Sequence, residues 1–216
     1  MSIYSRIKFE TGRLSGMIYN LIYRRRGCSI NGVLINCHID IEGEGNRIII
    51  EKGVVLRNVS ISIKGTDNVL TIKSGSEISE SGRVRMEDTG GEIVIGKNLR
   101  ASDMFLTTAD DHSRIEIGDD CLVSAKVIVR TSDSHSIIDD TTGERINPPK
   151  DVRIGNRVWI GYGVTIMKGT VIGDDSVIGT NALVAGINVP PHSLVAGIPA
   201  RVIKNNISWN AQRLKT

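Results

Sequence analysis

The chain has 216 residues, enough for one domain with a sizeable core, and its formal net charge is +3. This small charge, without a recognisable basic module, argues against a nucleic-acid binder. Aromatic residues make up only 4% of the sequence while glycine occurs 23 times, so we expect a core of narrow aliphatic layers.

Residues 1–28 are predicted to form a short amphipathic helical cap. Apolar residues recur at helical spacing between positions 3 and 22, and three arginines precede Gly27. Such a helix would cover the open end of the repeats that follow, since an exposed parallel edge invites aggregation. The alternative is weak association of this basic segment with a membrane surface.

A wide repeat begins at about residue 29. The isoleucines that end four similar phrases are separated by 22, 23 and 22 residues, at Ile50, Ile72, Ile95 and Ile117. We interpret these phrases as wide coils of one solenoid, with extra residues at their corners.

From residue 152 the repeat tightens to six residues. An aliphatic side chain recurs at Ile154, Ile160, Ile166, Ile172, Ile178 and Val184. A helix cannot keep one face at this period, whereas a short strand with a turn can. Three hexapeptides make a triangular coil, so each of these residues should stack on the residue 18 positions later, about 4.8 Å away. The pattern predicts an all-β parallel β-helix over residues 29–204, followed by a C-terminal tail at 205–216.

The repeat breaks once, at His135. Val123 and Val129 keep the register of six, but the next position holds histidine, and residues 136–151 have the composition of a loop that leaves the coil. Positions that break the pattern of their own repeat are where function is expected. A histidine suits a general base because its ordinary pKa lies near neutrality. The alternative is a solvated turn residue.

Four motifs resemble those of the bacterial hexapeptide-repeat acetyltransferases. They are Asp133-Ser134-His135, Gly143-Glu144-Arg145, Val158-Trp159-Ile160-Gly161 and the segment 195–204. The loop sequence around Gly143–Asn147 is most similar to that of the capsular polysialic acid O-acetyltransferases. The resemblance implies a left-handed winding, which the repeat period does not determine. It also implies acetyl-CoA as co-substrate, no required metal, and a homotrimer with active sites between subunits.

The same resemblance assigns roles at the site of acetyl transfer. His135 would take the proton of the acceptor hydroxyl as it attacks the thioester. Glu144 would support the imidazole, and Asp133 is the alternative for that task or for binding acceptor. Trp159, which strand alternation directs outward, would line the site. Solvated loop charges and a plain subunit interface are the alternatives for these residues.

On the donor side the resemblance is less specific to particular residues. It places Tyr162, Thr180, Ala185 and Gly197 along the pantetheine track. It places Arg201 and Lys204 near the phosphates of coenzyme A, with ordinary solvated charges as the alternative.

These observations predict a cytoplasmic O-acetyltransferase that uses acetyl-CoA and a saccharide acceptor of a capsule, lipopolysaccharide or exopolysaccharide. The location follows from the missing signal peptide and from Cys28, Cys37 and Cys121, whose spacing suggests buried thiols. A small acceptor (a simple sugar, serine or an antibiotic) is the alternative.

Two other functional classes are the alternatives to an acetyltransferase. A metal-dependent enzyme similar to carbonic anhydrase would need about three histidine ligands. The four histidines, His38, His112, His135 and His192, are widely spread. A purely structural β-helix would not need the break at His135.

Overall fold

The computed structural model describes residues 27–212, which are all β with no helix. The predicted helical cap therefore lies outside the described residues except for Gly27 and Cys28, and so do the last four residues of the tail. No helix able to cross a membrane is found in the described part. The strands are β1 (Ser29–Ile30), β2 (Val33–Ile35), β3 (His38–Glu42), β4 (Arg47–Ile50), β5 (Val55–Arg57), β6 (Val59–Lys64), β7 (Val69–Ile72), β8 (Glu77–Met86), β9 (Glu92–Ile95), β10 (Arg100–Thr108), β11 (Arg114–Ile117), β12 (Leu122–Val123), β13 (Val127–Arg130), β14 (Val152–Ile154), β15 (Trp159–Ile160), β16 (Thr165–Met167), β17 (Val171–Ile172), β18 (Val177–Ile178), β19 (Leu183–Ala185), β20 (Asn188–Val189), β21 (Leu194–Gly197) and β22 (Ala200–Lys204).

The strands form the three faces of a parallel β-solenoid. Face one consists of β1, β4, β7, β9, β11, β14, β17 and β20. Face two runs from β2 and β5 through the first halves of β8 and β10 to β12, β15, β18 and β21. Face three runs from β3 and β6 through the second halves of β8 and β10 to β13, β16 and β19. β8 and β10 each continue from face two onto face three.

The core is the stack of inward aliphatic side chains that the sequence predicts. Ile154 pairs with Ile172, and likewise Ile160 with Ile178 and Ile166 with Val184; all six are at most 2% exposed. On face one the wide repeats join the same column, because Ile117 pairs with both Ile95 and Ile154. The predicted register is therefore confirmed.

The extra residues of the wide coils lie at a single corner, between faces three and one. The inward column of face three passes through Ile61, Val84, Leu106, Val129 and Ile166. The column also includes Ile39 before Ile61 and Val184 after Ile166. The step from this column to face one takes 11 residues in each of the first four coils, 25 in the next, and then six and five. The loop therefore enlarges a corner that is already enlarged upstream. We call this edge the three-one corner (residues 43–46, 65–68, 87–91, 109–113, 131–151, 168–170 and 186–187).

The end of the solenoid differs from the all-parallel prediction. β22, inside the predicted range 29–204, pairs antiparallel with β21, because the chain reverses at Gly197, whose φ is 100°. Residues 205–212 of the tail contain no helix or strand. They fold back onto the solenoid, where the Trp209 indole N–H donates to the Arg157 carbonyl oxygen over 2.6 Å.

Candidate active site

His135 lies where the loop leaves a regular backbone column. Ser134 has a φ of 66°, and the same left-handed conformation recurs one coil apart at Asp67, Gly90 and His112. A Cβ on Gly90 would meet Nδ1 of His112 at 2.5 Å, so these positions stack directly. The chain follows the upstream corner up to Ser134 and departs at His135. This local path leaves His135 exposed where the loop begins. We call residues 133–137 together with Asn147 the loop root.

Asn147 closes the loop root. Its side-chain Nδ2 donates to the His135 carbonyl oxygen and to Asp133 Oδ2, each over 2.8 Å. Its Oδ1 accepts the Ile137 N–H over 2.7 Å and the Arg145 Nε–H over 3.3 Å. Asn147 is 8% exposed, and three of these four hydrogen bonds go to residues 133–137, the segment that carries His135.

Lys168 joins this loop root to the coil beneath it. Its Nζ donates to Asp133 Oδ2 over 2.6 Å and to the Asn147 carbonyl oxygen over 2.8 Å. The ammonium group, followed by the Asn147 hydrogen bond, holds the pKa of Asp133 below its usual value. Asp133 is therefore an ionised part of the frame around His135.

The loop has a departing arm that contains Ser132 and a returning arm that contains Arg145. A second ion pair holds the returning arm. The Arg145 guanidinium donates to both carboxylate oxygens of Asp110, over 2.8 and 3.0 Å. Ser132 donates a short hydrogen bond to the same carboxylate. These contacts lower the pKa of Asp110 to about 2. The two arms of the loop are thus tied to the preceding coil at one carboxylate.

Two clefts lie on either side of the Asp133–His135 segment. The upstream cleft, about 420 Å³, is lined by Lys64, Asp88, Asp110 and Ser134, among others. The downstream cleft, about 340 Å³, is lined by Asp133, Lys168, Ala185 and Gly186, among others. A substrate group in each cleft could therefore approach the loop root from opposite sides.

The predicted catalytic residues are only partly brought together in one protomer. His135 and Asp133 share the loop root, while the exposed Glu144 lies in the outer loop. Within residues 27–212, neither carboxylate hydrogen-bonds to the His135 imidazole. Trp159 points outward as predicted, 39% exposed, but it lies on face two, where its ring is 6.1 Å from that of Trp209.

The predicted donor residues fall in three places. Tyr162 and Thr180 share the corner between faces two and three, where the Tyr162 carbonyl oxygen accepts the Asn181 N–H. Ala185 lines the downstream cleft beside Asp133. Gly197, Arg201 and Lys204 lie on the reversal formed by β21 and β22. Neither of these cations forms an ion pair with another described residue.

The described residues include no group of three His, Cys, Asp or Glu side chains able to hold a metal ion. His38 opens β3, whereas His112 and His192 lie at different corners from each other. The three cysteine side chains are buried. Burial raises the pKa of the Cys121 thiol to about 12, which makes it a poor nucleophile.

Sequence reasoning did not assign roles to Asn147, Lys168, Asp110 or Trp209. One signal was present for Asp110, because Asp88 occurs 22 residues earlier, at the coil period. Asn147 lies in the motif that carries the family resemblance, but its partners are 10 to 14 residues away across an irregular loop. The repeat pattern does not predict the contact of Trp209 with Arg157.

The comparisons with known proteins follow the same regions of the chain. The family "Bacterial transferase hexapeptide (six repeats)" matches residues 151–186. The chain is 31% identical over 171 residues to the polysialic acid O-acetyltransferase of Neisseria meningitidis, covering 79% of this chain and 78% of that protein. It is 36% identical over 120 residues to the polysialic acid O-acetyltransferase of Escherichia coli O1:K1 / APEC. That match covers 56% of this chain but only 38% of the relative, well under half of its length.

Among solved structures, the polySia-specific acetyltransferase NeuO is similar, with a TM-score of 0.77 and 32% identity. The similarity covers 86% of this chain and 83% of NeuO. A similarity of this extent reaches beyond the short hexapeptide repeats into the wide coils.

Proposed function

Because this chain belongs to the hexapeptide-repeat acetyltransferases, we propose that it transfers an acetyl group from acetyl-CoA to a hydroxyl of a saccharide. The observation that carries the proposal is the position of His135 at the start of the longest departure from the coil, next to Ser134 and close to Asp133, which line two separate clefts. The relatives named above act on polysialic acid, which supports a saccharide of a bacterial surface polymer as acceptor.

His135 acts as the general base. Its imidazole removes the acceptor hydroxyl proton while the oxygen attacks the thioester carbonyl carbon, and a tetrahedral adduct forms. When the adduct collapses, the C–S bond breaks, and the imidazolium returns the proton to the leaving thiolate of coenzyme A. We keep Glu144 as the support for the imidazole, because Asp133 is already engaged by Asn147 and Lys168.

The two clefts suggest how the substrates divide. The downstream cleft is lined by Ala185 and Gly186. Because alanine has only a methyl group and glycine has no side chain, a narrow chain such as pantetheine can approach the backbone there. Tyr162, Thr180, Gly197, Arg201 and Lys204 would extend this donor track, with the two cations near the coenzyme A phosphates. The acceptor would then enter by the upstream cleft.

We propose that the working unit is a homotrimer. Trp159 lies on a different face from His135, so it can line the acetyl-transfer site only if it belongs to a neighbouring subunit. The outward column of face two is apolar at this level, with Leu122, Trp159, Val177 and Leu194 in successive coils. An apolar sheet face of this kind is suited to burial against another copy. We place the reaction in the cytoplasm, since the buried thiols fit a reducing compartment.

The direct test is an acetyl-transfer screen with the purified chain, with release of coenzyme A thiol as the readout and mass analysis of the glycan. Sialic acid polymers, other capsular glycans, lipopolysaccharide fragments, simple sugars and serine are the acceptors. We expect acceptor-dependent thiol release with at least one polymeric saccharide. Turnover confined to serine, or no transfer to any glycan, would count against the proposal.

A further inference from the structure

We infer that Asn147 is the positioning residue of the reaction, holding His135 at the angle from which its imidazole reaches the acceptor. This inference rests on the proposed function, because it assumes that His135 is the base. Asn147 touches neither substrate cleft as a lining residue, so it acts through His135 rather than on the reacting atoms.

The first argument is the distribution of its hydrogen bonds. The amide contacts residues 133, 135 and 137, which lie on both sides of the base and at the base itself. Two donors and one acceptor of a single planar group thereby hold three points of that segment. These points constrain the backbone at His135 and with it the direction of the Cα–Cβ bond from which the imidazole extends.

The second argument is that this clamp is anchored to the rigid part of the molecule. The Asn147 carbonyl oxygen accepts from Lys168, which follows β16, and the same ammonium group binds Asp133. The solenoid core beneath it is buried and continuous. Lys168 therefore ties the loop root to a packed coil, in addition to the contacts within the loop.

The third argument is chemical. The site requires a group that both donates to two oxygens and accepts from two N–H groups, and at this size only a primary amide does so. An aspartate would place a second carboxylate against Asp133, and an alanine would leave the His135 carbonyl and the Ile137 N–H without their partner. A misplacement of about 1 Å at a catalytic group can cost roughly 100-fold in rate.

The test compares Asn147→Ala and Asn147→Asp with wild type in steady-state kinetics of the full chain. We expect kcat to fall about 30- to 100-fold while KM for acetyl-CoA stays within about twofold. The control is Ile146→Ala, because the neighbouring Ile146 side chain is 59% exposed and lines neither cleft; this variant should keep wild-type turnover. Lys168→Met provides a second variant that leaves the loop sequence intact, with an expected loss of about fivefold in kcat.

A double-mutant comparison separates positioning from general loss of structure. In the His135→Ala background, Asn147→Ala should not lower the residual rate further, because the residue has nothing left to position. A further loss of the same size in that background would overturn the inference, as would a wild-type kcat in both Asn147 variants. If His135→Ala itself kept wild-type turnover, the proposed function would fail first and the inference with it.

Discussion

The upstream and downstream coils share one core but differ at the three-one corner. Upstream, the chain takes 11 residues to pass from face three to face one, and its corners carry carboxylates such as Asp88 and Asp110. Downstream it takes six and then five residues, and the corner is formed by Lys168 and small residues. The loop with His135 lies at the boundary between the two.

The proposed base lies where the long upstream corners give way to the short downstream ones. The inward column passes from Val129 to Ile166 without a gap although residues 131–151 lie outside the strands between them. The core therefore does not constrain the length of this corner. One side of the boundary supplies Asp110 to hold the loop, and the other supplies Lys168.

The largest expected effect is the loss of turnover on replacing His135, compared with replacing His112 in the preceding coil. His135→Ala should lower kcat by about 1,000-fold, since a general base contributes roughly 10²–10⁴-fold. His112→Ala, one coil earlier at the same corner, should leave turnover unchanged. The measurement is steady-state thiol release together with sizing of the assembly. Equal losses in both variants would mean that the boundary has no special role.

A subunit-mixing experiment tests whether Trp159 and His135 meet between protomers. His135→Ala and Trp159→Ala should each be nearly inactive alone. Co-expressed in equal amounts, they should recover about a quarter of wild-type activity, because half of the subunits supply each intact residue to a shared site. Pairing His135→Ala with the double variant is the control and should recover nothing. No recovery in the first mixture would argue that each site lies within one chain.

The ion pair between Asp110 and Arg145 predicts a pH-dependent contribution to stability. Because the pKa of Asp110 is lowered to about 2, the pair stabilises the folded state fully above the ordinary carboxyl pKa, and this contribution fades as the pH falls from about 4 to about 2. Asp110→Asn should cost about 1–2 kcal/mol at pH 7 after allowance for solvent screening. Urea unfolding at pH 7 and pH 3 measures it, with Asp88→Asn as the upstream control. If the free energy of unfolding of Asp110→Asn differed from that of wild type by as much at pH 3 as at pH 7, the assignment would be contradicted.

The smallest expected effect concerns the donor end of the downstream coils. Arg201→Ala should raise KM for acetyl-CoA about three- to tenfold and change KM for the acceptor by less than twofold. Arg153→Ala on face one is the matched control and should change neither constant. A larger rise in KM for the acceptor than in KM for acetyl-CoA would indicate that Arg201 contacts the acceptor rather than the donor.

The fold was largely predictable because its core repeats. The spacing of Ile154, Ile160 and Ile166 defines which residues stack, and the structure pairs them accordingly. What the period could not assign is where the extra residues of the wide coils go, since a corner contributes no inward side chain to count. The reversal into β22 depends on the backbone at Gly197, which no repeat encodes.

The candidate site could be predicted from the sequence only where it interrupts the repeat. His135 is visible as a polar residue in an aliphatic register, and Trp159 as an aromatic on an outward position. Asn147 and Lys168 do not interrupt the repeat pattern, so the sequence does not distinguish them. Their partners are determined by the path of an irregular loop. Their contacts with Asp133 and His135 become apparent only when the loop closes on the coil.

The antiparallel strand β22 also determines how the molecule ends. A parallel solenoid presents its last coil as a template to which another chain could add end to end, and such growth leads to fibres. β22 occupies the β21 edge with reversed polarity, and Trp209 pins the following segment to Arg157. On face two, β22 therefore leaves no free parallel edge at this end to which another chain could add along the solenoid axis.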